Sequence, residues 1–234
     1  MKCGMSVASA VVLLAVASCS ATAQVRVSAF DDYPEDNPRG NVHLGAPIVI
    51  PLNPTARAVH FGWGFNVGGG YNFTKNHGLV GELLWNGLSP TNEALAKIRT
   101  ALNDPSVDMN VGLTALTGNY RYELRGKNLG TYFLGGGGLY YRHTHLSKQV
   151  TTGKNIECTR AWAWWGFTCT GGLVSENQTI ASWGATSGGY NAGIGFTFRV
   201  GEPPYRFYAE SRYHYAPNSR VNTQLINLTF GIRY

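Results

Sequence analysis

Apolar and polar positions alternate over the last thirty residues, Tyr205 to Tyr234. After Gln224 one face carries Ile226, Leu228, Phe230, Ile232 and Tyr234, and between them lie Leu225, Asn227, Thr229, Gly231 and Arg233. Period two predicts a strand with one greasy face. The preceding stretch repeats the pattern. Phe207, Ala209, Ser211, Tyr213 and Tyr215 share one face; Arg206, Tyr208, Glu210, Arg212 and His214 share the other. Full charges of both signs suit the inside of a small barrel, where they can pair. The greasy faces need an apolar medium outside, and a closed barrel in a membrane supplies it.

The same reading predicts six earlier strands. Residues 25–31 form a weak first one, and 32–56, with five prolines and several charges, form a loop that includes the short tract Ile48-Val49-Ile50. In the second strand Val59, Phe61, Trp63, Phe65, Val67 and Tyr71 oppose His60, Gly62, Gly64, Asn66, Gly68 and Gly70. Small inner residues leave room for bulky neighbours. The third strand places Leu79, Leu83 and Trp85 outside and Glu82 inside. Residues 92–103 read as a short loop helix, with Thr91 or Asn92 as cap, Ala94, Leu95, Ile98, Ala101 and Leu102 on one face, and Pro105 beyond. In the fourth strand, 109–124, Val111, Leu113 and Ala115 are in one phase and Tyr120, Tyr122 and Leu124 in the other. This predicts a bulge near Ala115–Leu116. The fifth strand runs to about His143 through Gly135–Gly138, which erase its facing. Residues 146–183 read as the longest loop. In the sixth strand Tyr190, Ala192, Ile194, Phe196, Phe198 and Val200 face out, and Asn191, Gly193, Gly195, Thr197 and Arg199 face in. The expected fold is all-β: an eight-stranded antiparallel transmembrane β-barrel. Long connections (32–56, 87–107, 146–183) alternate with short ones (72–77, 125–130, 201–204). Long loops belong outside the cell and short turns in the periplasm.

The segments GGGYNFTKNHGLVGELLWNGL, GTYFLGGGGLYYRH, FYAESRYHY and LINLTFGIRY resemble the small outer-membrane β-barrel family of Gram-negative bacteria, the porin-like or opacity-type barrels. The resemblance covers most of residues 57–234. It implies a cell-envelope location and an assembly signal at Asn227, Phe230, Ile232 and Tyr234, with Thr229 where the family usually has glycine. It implies little about function, because one fold hosts many.

Composition agrees with this picture. The chain has 30 glycines and 29 aromatics (13 Tyr, 10 Phe, 6 Trp), which suits tight turns and interfacial aromatic girdles. A secreted soluble β-sandwich or lipocalin-like barrel is the rival class. At the amino end Lys2 precedes an apolar run from Val7 to Ala17 and the tract Ala21-Thr22-Ala23. This predicts a signal peptide over 1–23, cleaved to leave a barrel domain over 24–234. Lipidation at Cys19 is the alternative. Cleavage changes the net charge from +6 to +5, because Lys2 is the only charge lost. The charges are scattered, so no nucleic-acid footprint is present.

Four constellations could carry function. The first is the inward set Glu82, Arg121, Glu123, Arg199, Glu210 and Arg212, with His60 and His214. It reads as a lumen charge network that plugs the barrel, because unpaired buried charges are costly; a gated pore is the alternative. Glu82 and Glu210 are expected to face Arg121, Arg199 or Arg212. The second is His143 and His145, which with Ser147 or Ser187 would be needed for a lipid-A-modifying enzyme; two polar residues at a loop edge is the simpler reading. The third is the pair Cys158 and Cys169, which outlasts cleavage in an exported chain and predicts a disulfide. The fourth lies between them: Trp162, Trp164, Trp165 and Phe167, a surface-binding tip or a loop sunk into lipid headgroups. No catalytic, metal or cofactor residues are expected. The expected protein is a non-enzymatic envelope barrel, with a narrow diffusion channel as alternative. Its partners would be outer-membrane lipids, lipopolysaccharide and the barrel assembly machinery, and it would be a monomer.

Overall fold

The computed structural model describes residues 39–155, 159–160, 167–168, 173–199, 205–218 and 221–234. Eight antiparallel strands form one closed ring: β1 Gly40–Pro51, β2 Val59–Asn72, β3 His77–Pro90, β4 Val107–Arg125, β5 Leu129–Asn155, β6 Leu173–Arg199, β7 Arg206–Ala216 and β8 Thr223–Arg233. Each strand pairs with the next, and β8 returns to β1 through registers such as Ile48↔Leu228. Residues 73–76 and 126–128 join strands at one end, the turn end. Residues 52–58, 91–106 and 217–222 join them at the other, the loop end. Helix α1, Asn92–Leu102, lies in the second of these. Thr91 caps it by accepting from the Ala94 N–H at 3.2 Å, and its own hydroxyl donates to Arg57 O at 3.2 Å. Asn103 ends it in the left-handed region at φ 49°.

The opening strand is a correction. β1 lies inside the stretch expected to be a loop; the strand expected over 25–31 falls outside the described residues. Alternation is present in β1, with Val42, Leu44, Ile48 and Ile50 exposed and Asn41, His43 and Val49 buried. Pro47 masks it. A proline cannot donate to a ladder and argues against a central strand. Here it sits where β1–β2 pairing skips from Gly45↔Asn66 to Ile48↔Trp63, while pairing with β8 runs on.

The bulge expected at Ala115–Leu116 is absent. β4 keeps unbroken register with β3 and β5 through this stretch. Leu113 and Ala115 point inward with Thr117, Asn119, Arg121 and Glu123, and all six are buried. The strand does not change phase; the lumen changes polarity. An actual register shift lies in β2 between Val59 and Gly62, and it turns His60 outward, against expectation.

The expected loop 146–183 is also mostly strand. β5 and β6 stay paired from Leu129↔Phe198 to Asn155↔Leu173, with shifts at Leu146/Ser147 and Thr152/Asn155. β4 accompanies β5 as far as Lys148, while β7 leaves β6 at Tyr190; past Lys148 β5 and β6 continue as a two-stranded hairpin. Beyond its ladder, Thr159–Arg160 pairs with Phe167–Thr168.

Lipid-facing positions follow from the ladder. Phe61, Trp63, Phe196 and Phe230 are exposed, and Trp85 packs against Trp63 and Phe65 at 5.7 and 5.5 Å between ring centres. At the turn end Tyr205 meets Tyr234, and His77 meets Tyr120 and Tyr122.

Candidate functional site

The lumen is built in two layers. Toward the turn end it is charged. Arg212 on β7 contacts Glu82 on β3 through Nη1 and also holds Glu210, donating from Nε at 2.7 Å. His43 Nε2 on β1 lies 3.7 Å from Glu82 Oε1, and the Asn66 amide donates to the same oxygen. Nearer the turns a second cluster surrounds Glu123. Arg233 and Arg125 each donate to it at 3.1 Å, and Arg121 Nε lies at 3.4 Å. Arg121 also donates to Asn72 Oδ1 at 2.9 Å.

Tyr132 joins the two clusters. Its hydroxyl donates to Glu210 Oε2 at 2.8 Å, and the Arg233 guanidinium lies 4.7 Å above its ring. Glycine makes room for the large groups: a β-carbon on Gly195 would strike the Tyr132 ring, and one on Gly68 would strike the His43 ring. The void between His43, Asn119, Arg121, Tyr132, Glu210 and Arg212 is only about 10 Å³, the space of about one water.

Toward the loop end the lumen is mainly apolar, with Asn86 buried between Leu84 and Leu88. Val49, Val59, Leu84, Leu88, Leu113, Ala115, Ala216 and Leu225 form one buried cluster with Tyr140. The Tyr140 hydroxyl lies 3.0 Å from His214 Nδ1, where the two layers meet.

The expected site residues are therefore distributed as follows. Glu82, Glu210 and Arg212 come together, as do Arg121 and Glu123. Arg199 lies half-buried at the turn end of β6, opposite Arg206. Arg233, Arg125 and His43 join the clusters without having been singled out. Arg233 was legible from its place on the polar face of the terminal strand; His43 was hidden in the stretch read as loop. Asn227 is buried in the lumen, whereas Phe230, Ile232 and Tyr234 face out. Cys158, Trp162, Trp164, Trp165 and Cys169 lie outside the described residues; Phe167 is described in its backbone alone.

On the outer surface Tyr141, His143 and His145 form a row: Tyr141 stacks on His143 with ring centres 5.8 Å apart, and His145 is tilted against His143 at 5.5 Å. Ser187 pairs with Tyr140 on the opposite face of the same hairpin. Ser147 shares the histidines' face, but among the described residues no hydrogen bond joins it to either ring. Nor do the described residues include a cluster of three or more His, Cys, Asp or Glu side chains placed to hold a metal.

A closed ring of eight strands, greasy outside and charged within, defines a transmembrane barrel of the outer-membrane class. The family model for the outer membrane protein beta-barrel domain matches residues 10–234. The chain belongs to that family, whose members are bacterial outer-membrane proteins. Among solved structures it resembles Neisserial surface protein A, at 14% identity over 84% of this chain and 96% of that one, with a TM-score of 0.47. A major outer membrane protein from Thermus thermophilus gives 8% identity, 83% and 98% coverage and a TM-score of 0.50. Ail, the attachment invasion locus protein of Yersinia pestis, gives 13%, 83% and 96%, and 0.41. These likenesses concern the fold alone. No curated protein matches the chain.

Proposed function

We propose that this protein is a non-enzymatic outer-membrane barrel that displays its β5–β6 hairpin at the cell surface and keeps its lumen closed. The observation that carries the reading is the two-layer lumen. The charge clusters fill one half, and the apolar cluster around Leu113 and Leu225 fills the other. A solute would have to break buried ion pairs and then cross an apolar constriction. Eight strands enclose an interior just wide enough for side chains to fill.

The loop end faces outward in this reading. Tyr141, His143 and His145 then stand at headgroup height, where lipopolysaccharide phosphates and sugars are available. The chain reaches the membrane through a cleaved signal peptide, is folded by the barrel assembly machinery and works as a monomer. Opposite facing of Ser187 and His143 argues against an acyl-transfer enzyme.

Planar-bilayer recording of the purified protein tests the closed lumen. The expected result is no stepwise conductance. Steady unitary steps in the unmodified protein would replace this reading with the narrow diffusion channel.

A further inference from the structure

The glycines of the barrel wall fall into two sets. Those that face the lumen have no space to spare: a β-carbon on Gly62, Gly64, Gly136 or Gly138 would strike a neighbouring carbonyl oxygen. Gly69, Gly81 and Gly118 face lipid and differ. A β-carbon would meet only Asn41 O at 3.6 Å from Gly69, only Gly69 O at 3.9 Å from Gly81, and nothing within 4 Å from Gly118. None of the three has a backbone φ that calls for glycine. Glycine weakens a strand interior and often marks close approach by a ligand or another backbone. Nothing among the described residues makes that approach here.

The three are directly paired, Gly69↔Gly81 and Gly81↔Gly118, so they form one row across β2, β3 and β4. The row on one side carries Val67, Leu83 and Leu116, and the row on the other carries Tyr71, Leu79 and Tyr120, all exposed. Bare backbone between two rows of large side chains makes a groove of about 950 Å³, which continues over β1 past Gly40 and Val42 to Tyr234. Strands of such barrels tilt by about 35–45°, so a row taken across them climbs the wall. Gly69 lies near the turn end of β2, which stops at Asn72, whereas Gly137, the partner of Gly118, lies well up β5, which starts at Leu129. The groove therefore runs from the turn-end rim toward the middle of the bilayer. At the rim Arg39, next to Gly40, and Lys75, in the β2–β3 turn, are exposed.

We propose that this groove binds one phospholipid of the turn-end leaflet, with an acyl chain laid over Gly69, Gly81 and Gly118 and its phosphate beside Arg39 and Lys75. The groove is continuous with the lipid-facing wall, so hydrocarbon covers it. Its glycine floor and its flanking rows carry no charge, and the two cations lie at the end where a headgroup belongs. Inside a bilayer, attraction between apolar surfaces comes from close packing, and small residues permit it. Bare backbone lets a chain come closer than side chains would. The two cations add attraction for an anionic head. The proposal rests on the reading that the loop end is outside the cell, which makes the turn-end leaflet the periplasmic one, built of phospholipid.

The test uses the full chain in detergent micelles, palmitoyl-oleoyl phosphatidylglycerol as the probe, and native mass spectrometry as the readout. One lipid should stay on each chain. Gly81→Leu and Gly118→Leu fill the groove from open space, so the barrel should keep its heat-modifiable mobility while lipid retention falls about tenfold, because the acyl chain loses its packing. Gly188→Leu is the control: that glycine is also exposed and its β-carbon would also meet nothing within 4 Å, but it lies on β6. It should retain lipid like the parent. The double variant Arg39→Gln/Lys75→Gln should weaken retention of phosphatidylglycerol and leave that of dioleoylglycerol unchanged. The proposal is overturned if the parent retains no lipid, if the filled grooves retain as much as the parent, or if the double variant changes nothing. It is equally overturned if Gly188→Leu loses lipid to the same extent, which means an unspecific annulus, or if Gly118→Leu breaks a dimer, which means a second copy. Displacement of the probe by an equal concentration of lipid A would give the groove to the other leaflet and overturn the choice of phospholipid. Labelling of Ser182→Cys on whole cells with an impermeant maleimide reads orientation separately. No labelling there would refute surface display and the leaflet, while the micelle result still decides the groove.

Discussion

Arg212 on β7 meets Glu82 on β3 across the lumen, although the two strands share no edge of the ring. The contact therefore ties opposite walls of the barrel together, and Glu210 anchors Arg212 from its own strand. Removal of one partner leaves a buried charge with half its compensation. Glu82→Gln should lower unfolding free energy in lipid vesicles by about 3–5 kcal/mol. The triple variant Glu82→Gln/Glu210→Gln/Arg212→Met should regain part of it, because it leaves no carboxylate of this cluster without its base. If the single variant unfolds at the same urea concentration as the parent, the pair does not stabilise the barrel.

The polarity switch in the lumen gives a second expectation. Leu113 faces in and Leu116 faces lipid, 60% exposed. Leu116→Arg should cost about 2–4 kcal/mol if it lies near the bilayer midplane. Leu113→Ala should cost about 2–5 kcal/mol by leaving a cavity in the apolar layer. A cysteine at 116 should react with a lipid-soluble maleimide, and a cysteine at 113 should not. Equal reactivity would mean that the strand is bulged after all.

Trp63 carries the corresponding expectation for the outer face of β2. It is 67% exposed and packs edge-on against Trp85. Trp63→Arg should cost about 2–4 kcal/mol near mid-bilayer. Unchanged heat stability in detergent and in lipid would place this residue away from the hydrocarbon.

Those two faces also show what the sequence could reveal. Where lipid lies on one side and charge on the other, period two is plain; β2, β7 and β8 were readable to within a residue or two, and β3 fell four residues short at its loop end, where the connection was expected from 87. Elsewhere one of the contrasting media is missing. Val111, Leu113 and Ala115 are apolar on the inner face, so the alternation seemed to reverse although the strand does not. The outer half of the β5–β6 hairpin is wet on both faces, so Ser, Thr and Gly hide the strands. β1 has the contrast but is interrupted by Pro47. The charged residues of the lumen were legible as a set, but which acid meets which base depends on ring closure, and that brings Glu82 to Arg212 from far along the chain.

At the loop end Asp104 and Lys148 form an ion pair between the α1–β4 connection and the hairpin, and Ser106 donates to the same carboxylate at 2.7 Å. Lys148 first, and Ser106 next, hold the Asp104 carboxyl down at about 2, against an ordinary value of 3.8. A depressed carboxylate contributes stability that is fully present above its unfolded value and is lost as pH falls through its folded one. Exchange of backbone amides over residues 103–108 should therefore quicken between about pH 4 and pH 2, once the intrinsic rate is corrected for. Asp104→Asn should abolish that pH dependence. An unchanged profile in the variant would assign the opening to another group.

The last expectation concerns Cys158 and Cys169, which lie outside the described residues. Their neighbours do not: Thr159 pairs with Thr168, and Arg160 with Phe167. The compartment expected for an outer-membrane chain in transit is oxidising. A ring of this length is worth about 3 kcal/mol in the chain-entropy model. That contribution should act on the hairpin tip, because ring closure through β1 and β8 does not involve it. Cys158→Ser should leave a folded, inserted barrel with the same heat-modifiable mobility on gels. It should raise protease sensitivity between Val150 and Ser182, and weaken whatever surface binding Trp162, Trp164, Trp165 and Phe167 perform. Mass spectrometry of non-reduced peptides from native membranes reads the bond directly, and free thiols at both positions would show that it does not form.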